Sequence, residues 1–392
     1  MKKIGLFPKI IIGIILGILV GLYLPAPIVR IFVTISSIFS LFLNFIIPLM
    51  IVAFIGYGIA SLTEGASKLI GVTVLIAYAS TLLAGSIAFL TASNLFPILL
   101  NITQLGVVKI ESGLETYFTI PLKPLFDVTS AVIFAFILGV GITMLRPKGQ
   151  GAELFAIVKD AEEVIQSILQ KIIIPILPIH ILGTFANLSY AGSIQNILVI
   201  FGKVFVVVII LHLLYITALF IISGLIAKKS PLMLIKNQIP AYFTAVGTQS
   251  SAATIPVNLI SAEKDGVSEQ IRNFVVPLCA TIHLAGSMIT ITSCSTAVIL
   301  ILGQNPNYGS MLPFILMLGV AMVAAPGAPG GAIMSALPFF YMVGITGEEL
   351  QGLMIALYLT QDSFGTAANV SGDNAIAVFV DWLYKTKIKK EA

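Results

Sequence analysis

Charge is what this sequence has least of. Lysine, arginine, aspartate and glutamate make up 10% of its 392 residues, against 58% hydrophobic residues, whereas a soluble domain carries roughly 25% charge. That shortage excludes a soluble globular protein and indicates a polytopic membrane protein, with the lipid bilayer as its partner. Cysteine is nearly absent too, with Cys279 and Cys294 the only two. On one helix they would stand about 22 Å apart, beyond disulfide reach, so they read as packed thiols without a redox or metal role. No basic stripe interleaves with exposed aromatics, which argues against nucleic acid.

The few positive charges are placed with a bias. Lys2, Lys3 and Lys9 open the chain and Lys385, Lys387, Lys389 and Lys390 close it. Between them lie Arg146 and Lys148, then Lys228, Lys229 and Lys236, then Lys264 and Arg272. Cytoplasmic loops are enriched in Lys and Arg, so both termini and these connections are expected inside, with Arg30, Lys109 and Lys123 the exceptions outside. The apolar run 10–24 after Lys2 and Lys3 has the look of a signal peptide. Pro25-Ala26-Pro27 fits a turn leaving the membrane better than a small-residue cleavage site, which predicts a first span instead.

Apolar runs predict eight spans, at 7–24, 29–61, 69–96, 128–145, 172–188, 197–227, 274–302 and 358–381. Glu64 and Lys68 end the second. Residues 97–127, with Lys109, Glu111, Glu115 and Lys123, read as an external connection. Residues 152–171 are amphipathic and read as an internal surface helix feeding the fifth span. Residues 232–262 are too few for two full spans of roughly 20 each. Their centre is Gly247-Thr248-Gln249-Ser250-Ser251-Ala252-Ala253-Thr254-Ile255-Pro256, which suits two half-length helices meeting at a polar tip. Residues 311–343 repeat the pattern around Ala325-Pro326-Gly327-Ala328-Pro329-Gly330-Gly331. Hairpin plus broken helix, then hairpin plus polar helix, reads as a repeat inverted across the membrane, and interrupted segments at matching places point to a transporter binding site.

The last span carries the most polar stripe. Asp362, Thr366, Asn369 and Asp373 are spaced 4, 3 and 4 apart, which at about 100° per residue places them within an arc of roughly 60°. Carboxylates at membrane depth mark a functional interior. His180 and His212 lie in apolar spans and read as packing residues. An intramembrane hydrolase using Ser251, His283 and an aspartate is the distant alternative; no Gly-x-Ser-x-Gly elbow surrounds Ser251, and the repeat would be left unexplained.

The first tip, Gln249-Ser250-Ser251-Ala252-Ala253-Thr254-Ile255-Pro256, the Gly/Pro-rich second tip and Asp362 through Asn369-Val370-Ser371-Gly372-Asp373 together resemble the dicarboxylate/amino acid:cation symporter family, the glutamate-transporter homologues. The resemblance runs the length of the chain and is that of a divergent member, closer to neutral amino acid carriers. It implies an all-α integral membrane protein of eight transmembrane helices and two re-entrant helical hairpins, working as a homotrimer by an elevator movement in the cell membrane. Residues 1–65 and 99–190 would form the scaffold, and 66–98 and 191–392 the transport domain.

Carried over residue by residue, the resemblance implies a substrate site at Ser250, Ser251, Ala328, Pro329, Gly330, Asp362, Gly365, Thr366 and Asn369. Asp362 would hold an α-ammonium and Asn369 an α-carboxylate. Family members that carry acidic substrates have an arginine at the position of Gly365, or just before the first-tip serines, where Gln249 stands here. Without either, burying a second substrate carboxylate is strongly unfavourable. The expected substrate is therefore a neutral amino acid, with an acidic amino acid or dicarboxylate as the alternative and an amine-free carrier substrate a further one. Gly365 is expected to leave room for a bulky or polar uncharged side chain.

Cation coupling would involve Thr281, His283, Gly286, Asn369 and Asp373. The family's Asn-Met-Asp-Gly-Thr reads His283-Leu284-Ala285-Gly286-Ser287 here, so a sodium-binding aspartate is replaced by Ala285. Asp373 and the backbone carbonyls near Asn369 still match another sodium site of the family. The expectation is reduced sodium use, with His283 as a proton carrier, and no cofactor beyond a sodium ion.

Overall fold

The computed structural model describes residues 5–61, 68–99, 113–125, 127–192, 194–323, 325, 327 and 329–388. Of the residues singled out above, Lys2, Lys3, Glu64, Lys109, Glu111, Pro326, Ala328, Lys389 and Lys390 lie outside this set. The described residues contain helices and no strand.

Helix α1 (Leu6–Tyr23) stops ahead of Pro25, which disfavours helical backbone at the residue before it, and α2 (Ala26–Ser61) follows at once. The 36 residues of α2 span about 54 Å at 1.5 Å each, more than a bilayer core of about 30 Å, so the helix must tilt to keep its apolar length covered. After α3 (Lys68–Leu99), α4 (Val128–Leu145) begins at Asp127, whose carboxylate accepts the Ser130 backbone N–H at 3.0 Å.

Helix α5 (Ala152–Ile168) buries Val158 and Ile165. It then runs through a π turn (Leu169–Ile173) into α6 (Ile174–Tyr190). Pro175 lacks the N–H that would continue the α ladder, and a π turn is one way a helix absorbs such a gap. The surface helix and fifth span read from the sequence are thus one continuous rod. Next comes α7 (Ile194–Ala227), which ends at left-handed Lys228 (φ 56°).

The chain then breaks repeatedly. Helices α8 (Pro231–Thr248) and α9 (Ser251–Lys264) are joined by two residues, Gln249 in the left-handed region (φ 53°) and Ser250 extended, and pack against each other. Helices α10 (Glu269–Ile282) and α11 (Ala285–Ile301) are separated by His283 and Leu284. After α12 (Tyr308–Val323), the short α13 (Gly331–Ala336) continues as a 3-10 turn (Leu337–Val343). The last predicted span, 358–381, begins at the end of a helix it did not include, α14 (Glu348–Leu359), breaks at Thr360-Gln361 and otherwise falls on α15 (Asp362–Leu383). All four polar residues of the predicted stripe lie on α15, with Asp362 at its first position.

Among the described residues, five helical stretches are long and apolar enough to cross a membrane: Ala26–Ala60, Gly71–Leu99, Ala152–Tyr190, Ile197–Ala227 and Glu269–Ile301. Shorter apolar helices occupy Pro8–Tyr23, Ile133–Leu145, Tyr308–Val323 and Gly331–Val343. Helix α15 is in neither group, because its polar stripe interrupts the apolar run.

Packing sorts the helices into two sets. Helices α1, α2, α4, α5 and α6 pack among themselves, while α3 and α7 to α15 gather around α15, which touches α7, α8, α9, α10 and α11. The sets meet where α6 contacts α14 and α2 contacts α12 and α13. In the first set, Gly13, Gly17 and Gly21 form one stripe against α6; a Cβ on them would stand 2.6, 2.5 and 2.3 Å from the carbonyl oxygens of Pro178, Leu182 and Ala186. Only glycine permits so close an approach, the usual device for packing helices in lipid. In the second set, every residue of α11 from Ala285 to Ile301 is buried, whereas α7 exposes Val206, Ile210, Leu214 and Leu225 as a lipid-ready face.

Candidate functional site

Each helix break frees backbone N–H groups that lipid cannot satisfy, and their acceptors define the site. At the first tip, the Ser250 side chain accepts the Ala253 N–H at 3.2 Å as an N-cap. Its hydroxyl also donates across to the Gly327 carbonyl at 2.7 Å, joining the two tips. Gln249 turns inward and donates to the Ser363 hydroxyl at 2.8 Å. At the α10/α11 break, the Gly286 and Ser287 N–H groups both point to Asn369 Oδ1, at 2.8 and 3.3 Å. At the second tip, the Gly330 N–H donates to Asp362 Oδ2 at 2.8 Å.

Asp362 is 4% exposed. Its other oxygen accepts the Tyr358 hydroxyl at 2.8 Å, with Thr366 Oγ1 at a long 3.5 Å. The Tyr358 hydroxyl is 3.0 Å from Ser287 Oγ, which accepts Asn369 Nδ2–H at 3.1 Å. With the tyrosine proton committed to the carboxylate, the chain runs Asn369 Nδ2–H to Ser287 Oγ–H to Tyr358 Oη–H to Asp362. Every donor in it is neutral. The arrangement thus holds the Asp362 carboxylate among hydroxyl and backbone groups, with the N-terminus of α9 tied to the same tip through Ser250 and Gly327, a setting suited to a cation at Asp362 and an anion at the helix ends.

Gly330 and Thr366 meet Asp362 directly, Asn369 reaches it through Ser287 and Tyr358, and Ser250 meets the second tip at Gly327; Ser251 is buried at the first position of α9. Pro329 is half-buried and lines a cleft of about 470 Å³ with Ser250, Ala252, Gly327, Gln166, Gln170 and Ile174. Ala328 lies outside the described residues. Gly365 does not open a void. A Cβ there would touch Thr290 Oγ1 at 3.5 Å and the Gly286 backbone at 3.6 Å, and a Cβ on Gly286 would stand 2.2 Å from the Gly365 carbonyl oxygen. Gly286 therefore packs directly on α15, while at Gly365 a Cβ would meet its neighbours at ordinary contact distance, with α11 and not open space beside it. Thr281 is not in the cluster: it is exposed and its hydroxyl bonds the Leu278 carbonyl at 2.7 Å.

Deeper on α15, Asp373 Oδ1 accepts His283 Nδ1–H at 3.0 Å, and His283 Nε2 lies 3.0 Å from Ser80 Oγ. Ser80 in turn meets the Tyr215 hydroxyl at 2.8 Å. A further polar layer joins α15 to the α8/α9 pair. Asn374 donates to Gln238 and to Asp265, both at 2.8 Å, and Asn258 donates to the Val370 carbonyl at 3.0 Å. Asp265 lies outside the spans; burial raises its carboxyl to about 6, against the lowering effect of amide donors Asn237 and Asn374 and of Lys229.

Sequence reasoning missed three members. Tyr358 stands one helical turn before Asp362, a signal obscured by the intervening break. Ser287 was visible only as part of the departing motif. His212, read as a packing residue, donates from Nε2 to the Gly286 carbonyl at 2.9 Å and lies 3.1 Å from Thr290 Oγ1.

Known proteins resemble the chain along its whole length. The sequence profile described as the sodium:dicarboxylate symporter family matches residues 6–383. The serine/threonine transporter SstT of Acinetobacter baumannii (strain AYE) is 26% identical over 403 aligned positions, covering 97% of this chain and 97% of that protein. The serine/threonine transporter SstT of Acinetobacter baylyi (strain ATCC 33305 / BD413 / ADP1) is 26% identical over 414 positions, covering 98% of this chain and 99% of that protein.

Proposed function

Because the chain belongs to the sodium:dicarboxylate symporter family, a family of membrane transporters and not of enzymes, we propose that it carries a small neutral amino acid of the serine and threonine class. The observation that carries this reading is the buried carboxylate of Asp362, whose hydrogen bonds all come from neutral donors. An α-ammonium supplies the charge that Asp362 lacks. The substrate carboxylate is taken by the second hydrogen of Asn369 Nδ2 and by the free N–H groups at the start of α9, and Thr366 offers a hydroxyl. A second substrate carboxylate would enter a site with no arginine at Gly365 or Gln249, leaving a buried charge unpaired, a cost of several kcal/mol. The packing of α11 beside Gly365 favours a small side chain, and the names of the relatives point the same way.

The same proposal includes the finer architecture: eight spans, with α8–α9 and α12–α13 as re-entrant hairpins, both termini cytoplasmic, in a homotrimer at the cell membrane. Helices α1, α2 and α4 to α6 are assigned to a static scaffold and the set around α15 to a moving transport domain; their separate packing supports that division. Movement is coupled to a cation gradient with reduced sodium use. When the Gly330 N–H leaves Asp362, the second tip is released and the carboxylate is free for an ammonium, so opening the gate and presenting the site are one event.

The test is uptake by proteoliposomes across a panel of amino acids with sodium and proton gradients imposed separately. Serine and threonine are expected to accumulate. Accumulation of aspartate or glutamate in preference to all neutral amino acids would overturn the reading.

A further inference from the structure

A sodium ion held at Asp373 would need oxygen donors converging on it, since hard cations bind carboxylate, carbonyl and water oxygens. Apart from one carboxylate oxygen, the side-chain oxygens of Asp373 and Asn369 and the break-point carbonyl of Gly286 are instead engaged by protein N–H and O–H donors. Asp373 is fully buried, and its Oδ1 is taken by His283 Nδ1 at 3.0 Å. The carboxylate only accepts, so Nδ1 carries the hydrogen whatever the state of the other ring nitrogen. The carbonyl of Gly286 is taken by His212 Nε2–H at 2.9 Å and by the Thr290 hydroxyl at 3.2 Å. Asn369 Oδ1 accepts two backbone N–H groups from α11. Asp373 Oδ2 is left without a hydrogen-bond partner, and one oxygen does not make a coordination shell.

The imidazole is also fixed in place. Ser80, itself held by Tyr215, contacts its far nitrogen at 3.0 Å. On α15 the ring lies flush against Gly372, where a Cβ would stand 2.3 Å from His283 Cε1. No ion fits between ring and helix without moving the ring, and Ala285 offers no replacement carboxylate.

We propose that the His283 side chain occupies the cation position on Asp373, so that this chain completes its transport site without a sodium ion at that carboxylate. The inference rests on the reading of the chain as a transporter of the sodium:dicarboxylate family. It replaces the expectation that Asp373 and Asn369 hold a sodium ion and confines any sodium that drives transport to another place.

The test locates the ion directly. Crystals of the wild-type protein soaked in thallium(I), a heavy monovalent probe, are expected to show no anomalous peak against Asp373, and crystals of His283→Asn to show one. Binding of L-serine to the purified proteins supplies the second measurement. Replacing choline by sodium is expected to change wild-type affinity by less than about twofold through Asp373, and to tighten His283→Asn by about tenfold, within the usual range of coupling between sites. A thallium peak at Asp373 in the wild type overturns the proposal, as does a wild-type sodium response that Asp373→Asn removes. Should His283→Asn fail to fold, the wild-type crystal decides alone. Failure of serine to bind in either salt refutes the substrate reading and leaves the thallium result standing.

Discussion

On the proposed reading substrate binding depends on the charge of Asp362, and replacing that side chain by the isosteric amide gives a worked expectation. In Asp362→Asn the side chain has one oxygen and one NH2 where two oxygens now accept Gly330 N–H and Tyr358 O–H. With the amide oxygen kept on the Gly330 N–H, the NH2 group donates to the Tyr358 hydroxyl, whose own proton turns to Ser287 Oγ at 3.0 Å, and the Gly330 N–H meets a neutral oxygen in place of a charged one, a loss of about 1 kcal/mol. That penalty falls on the closed tip. The larger loss falls on the substrate, whose ammonium would be buried without its counter-charge at about 3–5 kcal/mol. At 1.4 kcal/mol per decade, L-serine affinity is expected to fall by about two to three and a half orders of magnitude. Tyr358→Phe removes only one neutral donor, so its expected loss is about two- to tenfold. Competition binding of radiolabelled serine to purified protein measures both, with melting temperature recorded alongside to show that each variant is folded. A folded Asp362→Asn protein that binds serine within about threefold of wild type, or a Tyr358→Phe loss as large as that of Asp362→Asn, would refute the assignment of Asp362 as the ammonium site.

Other positions give independent expectations. Gly365→Ala places a methyl at ordinary contact distance from Thr290 and Gly286 and is expected to keep serine uptake. Gly365→Arg must displace packed backbone, at a cost of about 1–3 kcal/mol, and should lower the melting temperature without creating aspartate uptake. Gly17→Val forces α1 away from the Leu182 carbonyl and is expected to destabilise the protein by a similar amount of about 1–3 kcal/mol, read as a lower melting temperature in detergent; an unchanged value would mean that α1 does not pack on α6 as described. Asp265 has its carboxyl raised to about 6 by burial, above its value in the unfolded chain. Its contribution to stability is therefore full below about pH 4 and lost as pH rises through about 6. Asp265→Asn should flatten the fall in melting temperature across that window, and an identical slope in the variant would show that another group is responsible.

How much of this was legible in the sequence depends on how far apart the interacting residues stand. The stripe on α15 was readable because Asp362, Thr366, Asn369 and Asp373 follow helical spacing within one element. The tips were readable because Ser, Gly and Pro clusters interrupt otherwise apolar runs. The break at Thr360-Gln361 left no such mark: the predicted span 358–381 runs straight through it and leaves most of α14 unassigned, so the Tyr358 contact with Asp362 was hidden. His283 and Asp373 are 90 positions apart, and no local pattern announces that pair or its support from Ser80. Gly365 illustrates a different limit. A missing side chain reads equally as open space or as a packed contact, and only the position of the Gly286 backbone decides for the contact.

On the proposed reading, the helix breaks also explain why site and gate share residues. In lipid an irregular backbone is tolerated only where protein satisfies it, so every interruption requires a nearby acceptor. Here the acceptors are the polar residues of α15 and their neighbours: Asn369 takes the start of α11, Asp362 takes the second tip at Gly330, and Ser250 caps α9 while tying the tips together. These groups are thus already engaged when the site is closed. A substrate ammonium reaching Asp362 has to share or displace the Gly330 N–H, and a substrate carboxylate on Asn369 draws on an amide that also holds Ser287. Recognition and closure therefore act on the same atoms, and a substitution that weakens one must alter the other. Under this arrangement Asp362→Asn should not only lose serine but also leave the second tip more open to proteolysis or thiol labelling at Gly327→Cys, where the two native cysteines, both buried, add no background. Labelling of Gly327→Cys at the same rate with and without the Asp362→Asn substitution would separate gate from site and break the argument.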